Sequence, residues 1–294
     1  MKILVLGCKG QLGRCLNDQL LNTVYDVVYT SRDQINIVDF VATKNQILGY
    51  SPDVVINATA YTAVDKAEDD QEMANIINHL AVENIAAICD ELDCWLVHVS
   101  TDYVFDGTSK FSYREDDHPN PQGVYGVTKL NGELAVKSFC SKYIIIRTAW
   151  VFSEYGDNFL KTMLRLSAEH DELRVVSDQI GCPTYAQDIA KAIVRVIPVL
   201  MTGHASGTYH YAGSKPCSWA GFAEAIFTEA VVLKFMARCP KVTMITSDEF
   251  PTRAKRPKNS MLDSSLFEKS FGGGLSDWQY GVRSAVFALN AKSQ

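Results

Sequence analysis

The chain has 294 residues, 47% hydrophobic and 21% charged, with 28 Lys plus Arg against 34 Asp plus Glu for a net charge of −6. That apolar fraction excludes a disordered chain, and 18 glycines and 9 prolines exclude a fibrous one. The acidic balance disfavours nucleic-acid and membrane-surface binding, so neither partner is expected, although one local basic pocket is compatible with it.

Strand-like β-branched runs occur at Ile3–Leu6, Val24–Tyr29, Val54–Asn57, Leu96–Ser100 and Ile144–Thr148. Between them lie helical stripes, among them Leu12, Leu16 and Leu20, then Ile76, Leu80, Ile85 and Ile88. Strands alternating with helices in this way predict βαβ units and a parallel sheet covered on both faces. After Trp150 the pattern predicts helices over Asn158–Ala168, Ala186–Leu200, Ser218–Ala230 and Ser284–Asn290. Arg174–Val176 and Thr208–Tyr211 read as further strands of the same sheet. The expected fold class is α/β, a Rossmann-type doubly wound sheet over residues 1–150 with interleaved later segments near 172–212. Residues 151–294 would form mainly a smaller substrate-binding domain.

Ile3–Leu6 is too short for a leader core or a membrane span. The eight cysteines include no CxxC pair and no His at zinc-ligand spacing. A reduced, cytoplasmic chain using cysteine as a small hydrophobe is the expectation.

Ile3–Leu6 leads into Gly7-Cys8-Lys9-Gly10-Gln11-Leu12-Gly13 and then a helical stripe. Glycines there allow a tight turn and let the backbone approach a pyrophosphate at the positive end of a helix. The spacing is GxxGxxG rather than GxGxxG, so the strand before it and the helix after it carry the dinucleotide reading. After the second strand the chain runs Thr30-Ser31-Arg32-Asp33, where an NAD binder usually places an acid. Ser31 and Arg32 suit a 2′-phosphate, so NADPH is the expected cofactor and NADH stays open.

Tyr125 and Lys129 stand four residues apart at the head of a predicted helix, on one face of it. Thr101 follows the fourth strand, on the ligand side of the sheet. Hydride addition to a ketone leaves an alkoxide that needs a proton, and a phenol serves only if its pKa, ~10, comes down. An ammonium ~4 Å away contributes ~4 kcal/mol at an effective dielectric of ~20, about three units before desolvation. Lys129 is therefore expected to tune Tyr125, with Thr101 orienting the carbonyl oxygen.

These residues resemble the extended short-chain dehydrogenase/reductase superfamily and, more closely, the dTDP-4-dehydrorhamnose reductase family. The likeness spans nearly the whole chain. Asn57–Glu68, Ser100–Phe105, Arg147–Val151, Asn158–Met163, Asp178–Thr184 and Arg256–Ser260 carry it beside the glycine turn and Tyr125–Lys129. The resemblance implies NADPH-dependent reduction of the C4 ketone of a dTDP-sugar. It implies that Gly10, Gln11 and Leu12 touch the cofactor, Asp39 and Phe40 flank its adenine, and Thr59, Ala60 and Tyr61 lie near ribose and nicotinamide. Thr101, Asp102, Tyr125, Lys129 and Trp150 would meet the sugar nucleotide, with Arg256 on its diphosphate.

Some relatives hold Mg²⁺ with acidic residues at a dimer contact. The corresponding positions here are Cys15 and Gln187, which lack hard anionic oxygens, so no metal ligand is assigned and the expected state is a monomer or weak homodimer. Dehydratases of the superfamily have Thr-Asp-Glu where this chain has Thr101-Asp102-Tyr103. The alternatives are an epimerase or dehydratase on the same scaffold, or a non-catalytic regulatory subunit.

Overall fold

Alternation along the first strand puts Ile3 and Val5 into one apolar layer and Leu4 and Leu6 into the opposite one. A strand apolar on both sides must be covered on both sides, and the rest of the architecture follows from that. The computed structural model describes residues 1–203 and 205–293. In chain order the first half comprises β1 (Lys2–Leu6), α1 (Gln11–Leu20), β2 (Asp26–Thr30), α2 (Phe40–Tyr50) and β3 (Val54–Asn57). There follow α3 (Val64–Ala67), α4 (Gln71–Asn75), a π turn (Ile76–Leu80), α5 (Ala81–Glu91), β4 (Trp95–Thr101), α6 (Val124–Phe139) and β5 (Tyr143–Thr148).

The second half comprises β6 (Val151–Phe152), α7 (Phe159–Glu169), β7 (Glu172–Val176), β8 (Ile180–Gly181), β9 (Thr184–Tyr185), α8 (Ala186–Leu200) and β10 (Gly207–His210). It ends with β11 (Cys217–Ser218), α9 (Trp219–Val232), β12 (Lys241–Ile245), β13 (Asn259–Ser260), α10 (Ser265–Phe271) and α11 (Trp278–Ser293).

Six parallel strands form the main sheet in the order β10-β5-β4-β3-β1-β2. The chain leaves β1 toward β2 and then crosses to β3, which opens a crevice beyond the carboxyl ends of β1 and β3. Leu16 and Leu20 of α1 and Ile189, Ile193 and Val196 of α8 cover one face; Ile47 of α2 and Ile85 and Ile88 of α5 cover the other. A third core joins α7, α9 and α11 over Leu173 and Val175 of β7.

The expected strand at Thr208–Tyr211 joins the main sheet as β10, pairing in parallel with β5 at the sheet edge. The expected strand at Arg174–Val176 does not join it. β7 pairs instead with β12, outside the main sheet. Its burial alternates, with Leu173 and Val175 inward and Glu172 and Arg174 outward, so only one of its faces is covered, whereas a strand of the main sheet is covered on both. The second strand starts at Asp26 rather than Val24, which is 97% exposed before the edge pairing begins. The last helix starts at Trp278 rather than Ser284, because Trp278 and Val282 bury against the third core, and it runs on to Ser293.

Candidate active site

Gly7 has φ +87°, and its N–H and that of Cys8 both donate to Thr30 O, at 2.9 and 3.0 Å. A side chain there would be strained, so this is a position that requires glycine. Gly13 is required for another reason: a Cβ on it would collide with Gly7 O and Cys8, where α1 packs on the turn. Gly10 is the N-cap of α1 and no side chain caps the helix, which leaves its first N–H groups for an anion. Gln11 then ties the turn to the second half, its Oε1 accepting from Asn158 Nδ2 at 2.7 Å and Ser153 Oγ at 3.1 Å.

A cavity of about 990 Å³ lies over this turn. Its wall brings together Gly10, Gln11 and Leu12 with Thr59 and Ala60, then Thr101, Asp102, Tyr125, Lys129, Trp150 and Arg256. The wall does not include Gly7 or Gly13, which act through the backbone path, nor Ser31, Arg32, Asp39, Phe40 or Tyr61. Ser31 is buried and donates to Gln34 Oε1, while Arg32 is exposed. Asp33 pairs with Lys9 at 2.5 Å. Asp39 is the N-cap of α2, accepting from Ala42 N at 3.0 Å, with Phe40 partly exposed beside it. The Tyr61 phenol donates to Asp70 at 3.0 Å.

The ends of β4 and α6 meet at the reacting groups. Thr101 Oγ1 donates to Asp102 Oδ1 at 3.0 Å and also engages the Tyr125 phenol. Asp102 is buried with its Oδ2 unpartnered, and burial pushes its carboxyl up to about 6 against the hydrogen bonds from Ser260 and Thr101. Tyr103 sets its ring edge against Tyr125, 5.4 Å between centroids.

Lys129 is not among the groups that shift the Tyr125 phenol. Burial raises the phenol, Asp102 and Tyr103 add to the rise, and only the Thr101 hydroxyl opposes it. The helix does put both side chains on one face, but Lys129 Nζ turns into β4 and donates to Val99 O at 2.7 Å. Burial lowers that ammonium to about 8, partly offset by Glu133.

Trp150 adopts φ +47° and stacks on Trp219, 3.5 Å between ring centroids and 8° from parallel. Phe159 leans on Trp219 at 4.6 Å. Trp219, Phe159, Arg174 and Gln179 also line the cavity and were not singled out as site residues. A signal for Trp219 existed: it opens α9 directly after the capping Ser218. Its Nε1 donates to Gln179 Oε1 at 3.1 Å. Arg256 Nη2 donates to Asp65 Oδ2 at 2.7 Å, Arg253 pairs with Asp69, and Lys255 reaches Gln122 Oε1 at 3.1 Å. The basic stretch is thus strapped to the region of α3.

The residues at the positions where some relatives hold Mg²⁺ do not fit that ion. Cys15 is buried and its thiol is pushed upward by burial and by Glu154 and Asp18. Gln187 points its NH₂ at Asp18 Oδ2, 2.6 Å away, while its Oε1 accepts from Gln19 at 2.8 Å. Asp188 accepts from Lys191 and Ser276. Among the described residues no group of three His, Cys, Asp or Glu is arranged to hold a metal ion. Among them also, no helix is long and apolar enough to cross a membrane.

The family described as RmlD substrate binding domain matches residues 1–290. A dTDP-4-dehydrorhamnose reductase of Aggregatibacter actinomycetemcomitans is 41% identical over 285 residues, covering 96% of this chain and 97% of the relative. A solved dTDP-4-dehydrorhamnose reductase of Clostridium acetobutylicum superposes with a TM-score of 0.91 at 40% identity, covering 98% and 99% of the two chains. That of Bacillus anthracis, solved in complex with NADP, gives 0.91 at 33% identity over the same shares. By sequence and by fold alike, the chain belongs to the dTDP-4-dehydrorhamnose reductase family.

Proposed function

We propose that this protein reduces the C4 ketone of dTDP-4-dehydro-L-rhamnose to the alcohol of dTDP-L-rhamnose, with NADPH as reductant. The observation that carries this reading is a single cavity wall holding Gly10, Gln11 and Leu12 of the glycine turn with Thr101, Tyr125, Lys129 and Arg256. The uncapped start of α1 and the close Gly7–Gly13 packing fit a dinucleotide pyrophosphate. When bound, the nicotinamide supplies the hydride.

The protein's own groups handle the remainder. Thr101 holds the carbonyl oxygen, Tyr125 gives O4 its proton, and Lys129 supplies the positive charge that stabilises the tyrosinate left behind. Trp150, backed by Trp219, presents an apolar face to the sugar, and Arg256 offers its guanidinium to the diphosphate. Asp102 Oδ2, buried without a partner, is an acceptor aimed at a sugar hydroxyl.

An elimination reaction has no base at Tyr103, whose phenol burial pushes up to about 12. Ser31 and Arg32 at the end of β2 support NADPH over NADH, and the Bacillus anthracis relative was solved with NADP. We place the protein in the cytoplasm as a monomer or weak homodimer.

The test is an assay of NADPH and NADH oxidation against a panel of keto-sugar nucleotides. Stoichiometric oxidation with the 4-keto dTDP-sugar is the expected result. No consumption with any of them points to a non-catalytic binder, and equal or better kcat/KM with NADH overturns the cofactor preference.

A further inference from the structure

Tyr125 is the second residue of α6, so whatever fixes the start of that helix fixes the phenol. The first N–H groups of a helix have no partner within it, and the N-cap here, Gly123, has no side chain to supply one. The acceptor comes from 56 positions upstream: Val124 N–H donates to Glu68 Oε1 at 2.9 Å. A carboxylate there also faces the positive end of the helix dipole. The fit is close, because a Cβ on Gly123 would stand 2.7 Å from that same Oε1. Among the described residues, the only other atom it would meet within 4 Å is Glu68 Cδ. Gly126 seats the same turn from another side, where a Cβ would run into Tyr103 O.

Glu68 reaches α6 from an anchored base. It directly follows α3, whose Ala67 is fully buried, and its own N–H donates to Lys66 O. Before it, Asp65 accepts from Ala254 N–H and from Arg256; after it, Asp69 pairs with Arg253 and Asp70 accepts from the Tyr61 phenol. The segment is thus pinned on both sides of Glu68. Glu68 itself lies outside the cavity wall and is not among the groups that shift the Tyr125 phenol. Its reach to the proton donor therefore runs through the backbone of α6 and not through charge.

We propose that Glu68 is a positioning residue for proton transfer: by accepting the Val124 N–H it sets the start of α6, and with it the Tyr125 phenol beside Thr101. Glu68 neither gives nor takes a proton. Tyr125 alone passes its proton to O4 and becomes the tyrosinate. The inference rests on the reading of Tyr125 as proton donor given above.

The test is steady-state kinetics of Glu68→Ala with NADPH and the 4-keto dTDP-sugar, in H₂O and in D₂O. Misplacing a reacting group by ~1 Å costs up to about a hundredfold, so kcat should fall by about ten- to a hundredfold. KM for NADPH should stay within about twofold. The solvent isotope effect on kcat should exceed that of the wild type, because proton transfer becomes the slow step. Glu68→Gln keeps an acceptor oxygen and restores most of the rate.

Gly123→Ala attacks the same contact from the other partner and serves where Glu68→Ala fails to fold. Gly123 is extended, at φ −148° and ψ 168°, so alanine fits its backbone and the new Cβ displaces only the carboxylate. It should lower kcat when Glu68 is present and cost nothing further in Glu68→Ala. A cap that only stabilises would lower Tm and leave kcat and the isotope effect at wild-type values. That result, or losses that add in the double variant, overturns this inference alone. Full activity in Tyr125→Phe overturns the proton-donor reading, and this one with it.

Discussion

Arg256 and Asp65 meet across 191 positions of sequence, Nη2 to Oδ2 at 2.7 Å. The other oxygen of the same carboxylate accepts from the backbone N–H of Ala254 at 3.1 Å. One side chain thus fixes both the backbone and the guanidinium of the basic strap, and the guanidinium stays on the cavity wall.

Arg256→Ala therefore raises KM for the sugar nucleotide. Hydrogen bonds to charged groups are worth about 1.5–3 kcal/mol, or roughly ten- to a hundredfold. KM for NADPH should stay within about twofold. Initial-rate measurements decide it, and an unchanged KM for the sugar nucleotide removes Arg256 from the diphosphate site.

Tyr125→Phe keeps the ring, and its edge contact with Tyr103, but has no proton to give. Cofactor affinity is retained and kcat falls by about 10²–10⁴. Binding and turnover should be measured on the same preparation; full activity would falsify the proton-donor role.

Glu133 and Arg147 form a bidentate pair, 2.9 and 2.7 Å, with side chains 0% and 1% exposed. The pair ties α6 to β5, and the Ser100 hydroxyl joins it from β4. Arg147→Met leaves a buried carboxylate uncompensated and should cost about 3–5 kcal/mol in urea unfolding. Adding Glu133→Gln to it should recover much of that loss. If the double variant is no more stable than the single one, the cost lies in packing rather than in stranded charge.

Asp102 makes stability depend on pH. Its folded carboxyl sits at about 6, above the unfolded value of ~3.9. The folded state binds the proton more tightly, so this contribution is complete below about pH 4 and is lost as pH rises through 6. Asp102→Asn cannot titrate. Relative to that variant, the wild type should lose on the order of 2–3 kcal/mol between pH 4 and pH 7. A difference that stays flat across the window contradicts the burial argument.

Treatment with EDTA should leave the rate unchanged, because the amide of Gln187 occupies the space between Asp18 and Glu154 that a cation would bridge. A tenfold loss restored by Mg²⁺ is the contrary outcome.

Most of the main sheet was legible because β1, β3, β4 and β5 are apolar on both faces and bounded by turns. The glycine turn was legible because its backbone geometry demands particular residues at fixed intervals. β7 misled for the converse reason: Leu-Arg-Val-Val satisfies a strand pattern without naming its partner, and that partner, β12, begins 65 positions after β7 ends. Trp219 and Gln179 reach the cavity through tertiary packing that local spacing does not encode.

The sheet's last strand has a bearing on biosynthesis. β10 supplies the edge beside β5, and α8 is the cover over α1. A nascent chain released only as far as residue 150 displays the bare rim of β5 and an uncovered oily flank on α1, both invitations to aggregation. The first half must wait on the ribosome for about sixty more residues before it can close, so a truncation at the apparent boundary should yield inclusion bodies rather than a free-standing dinucleotide module.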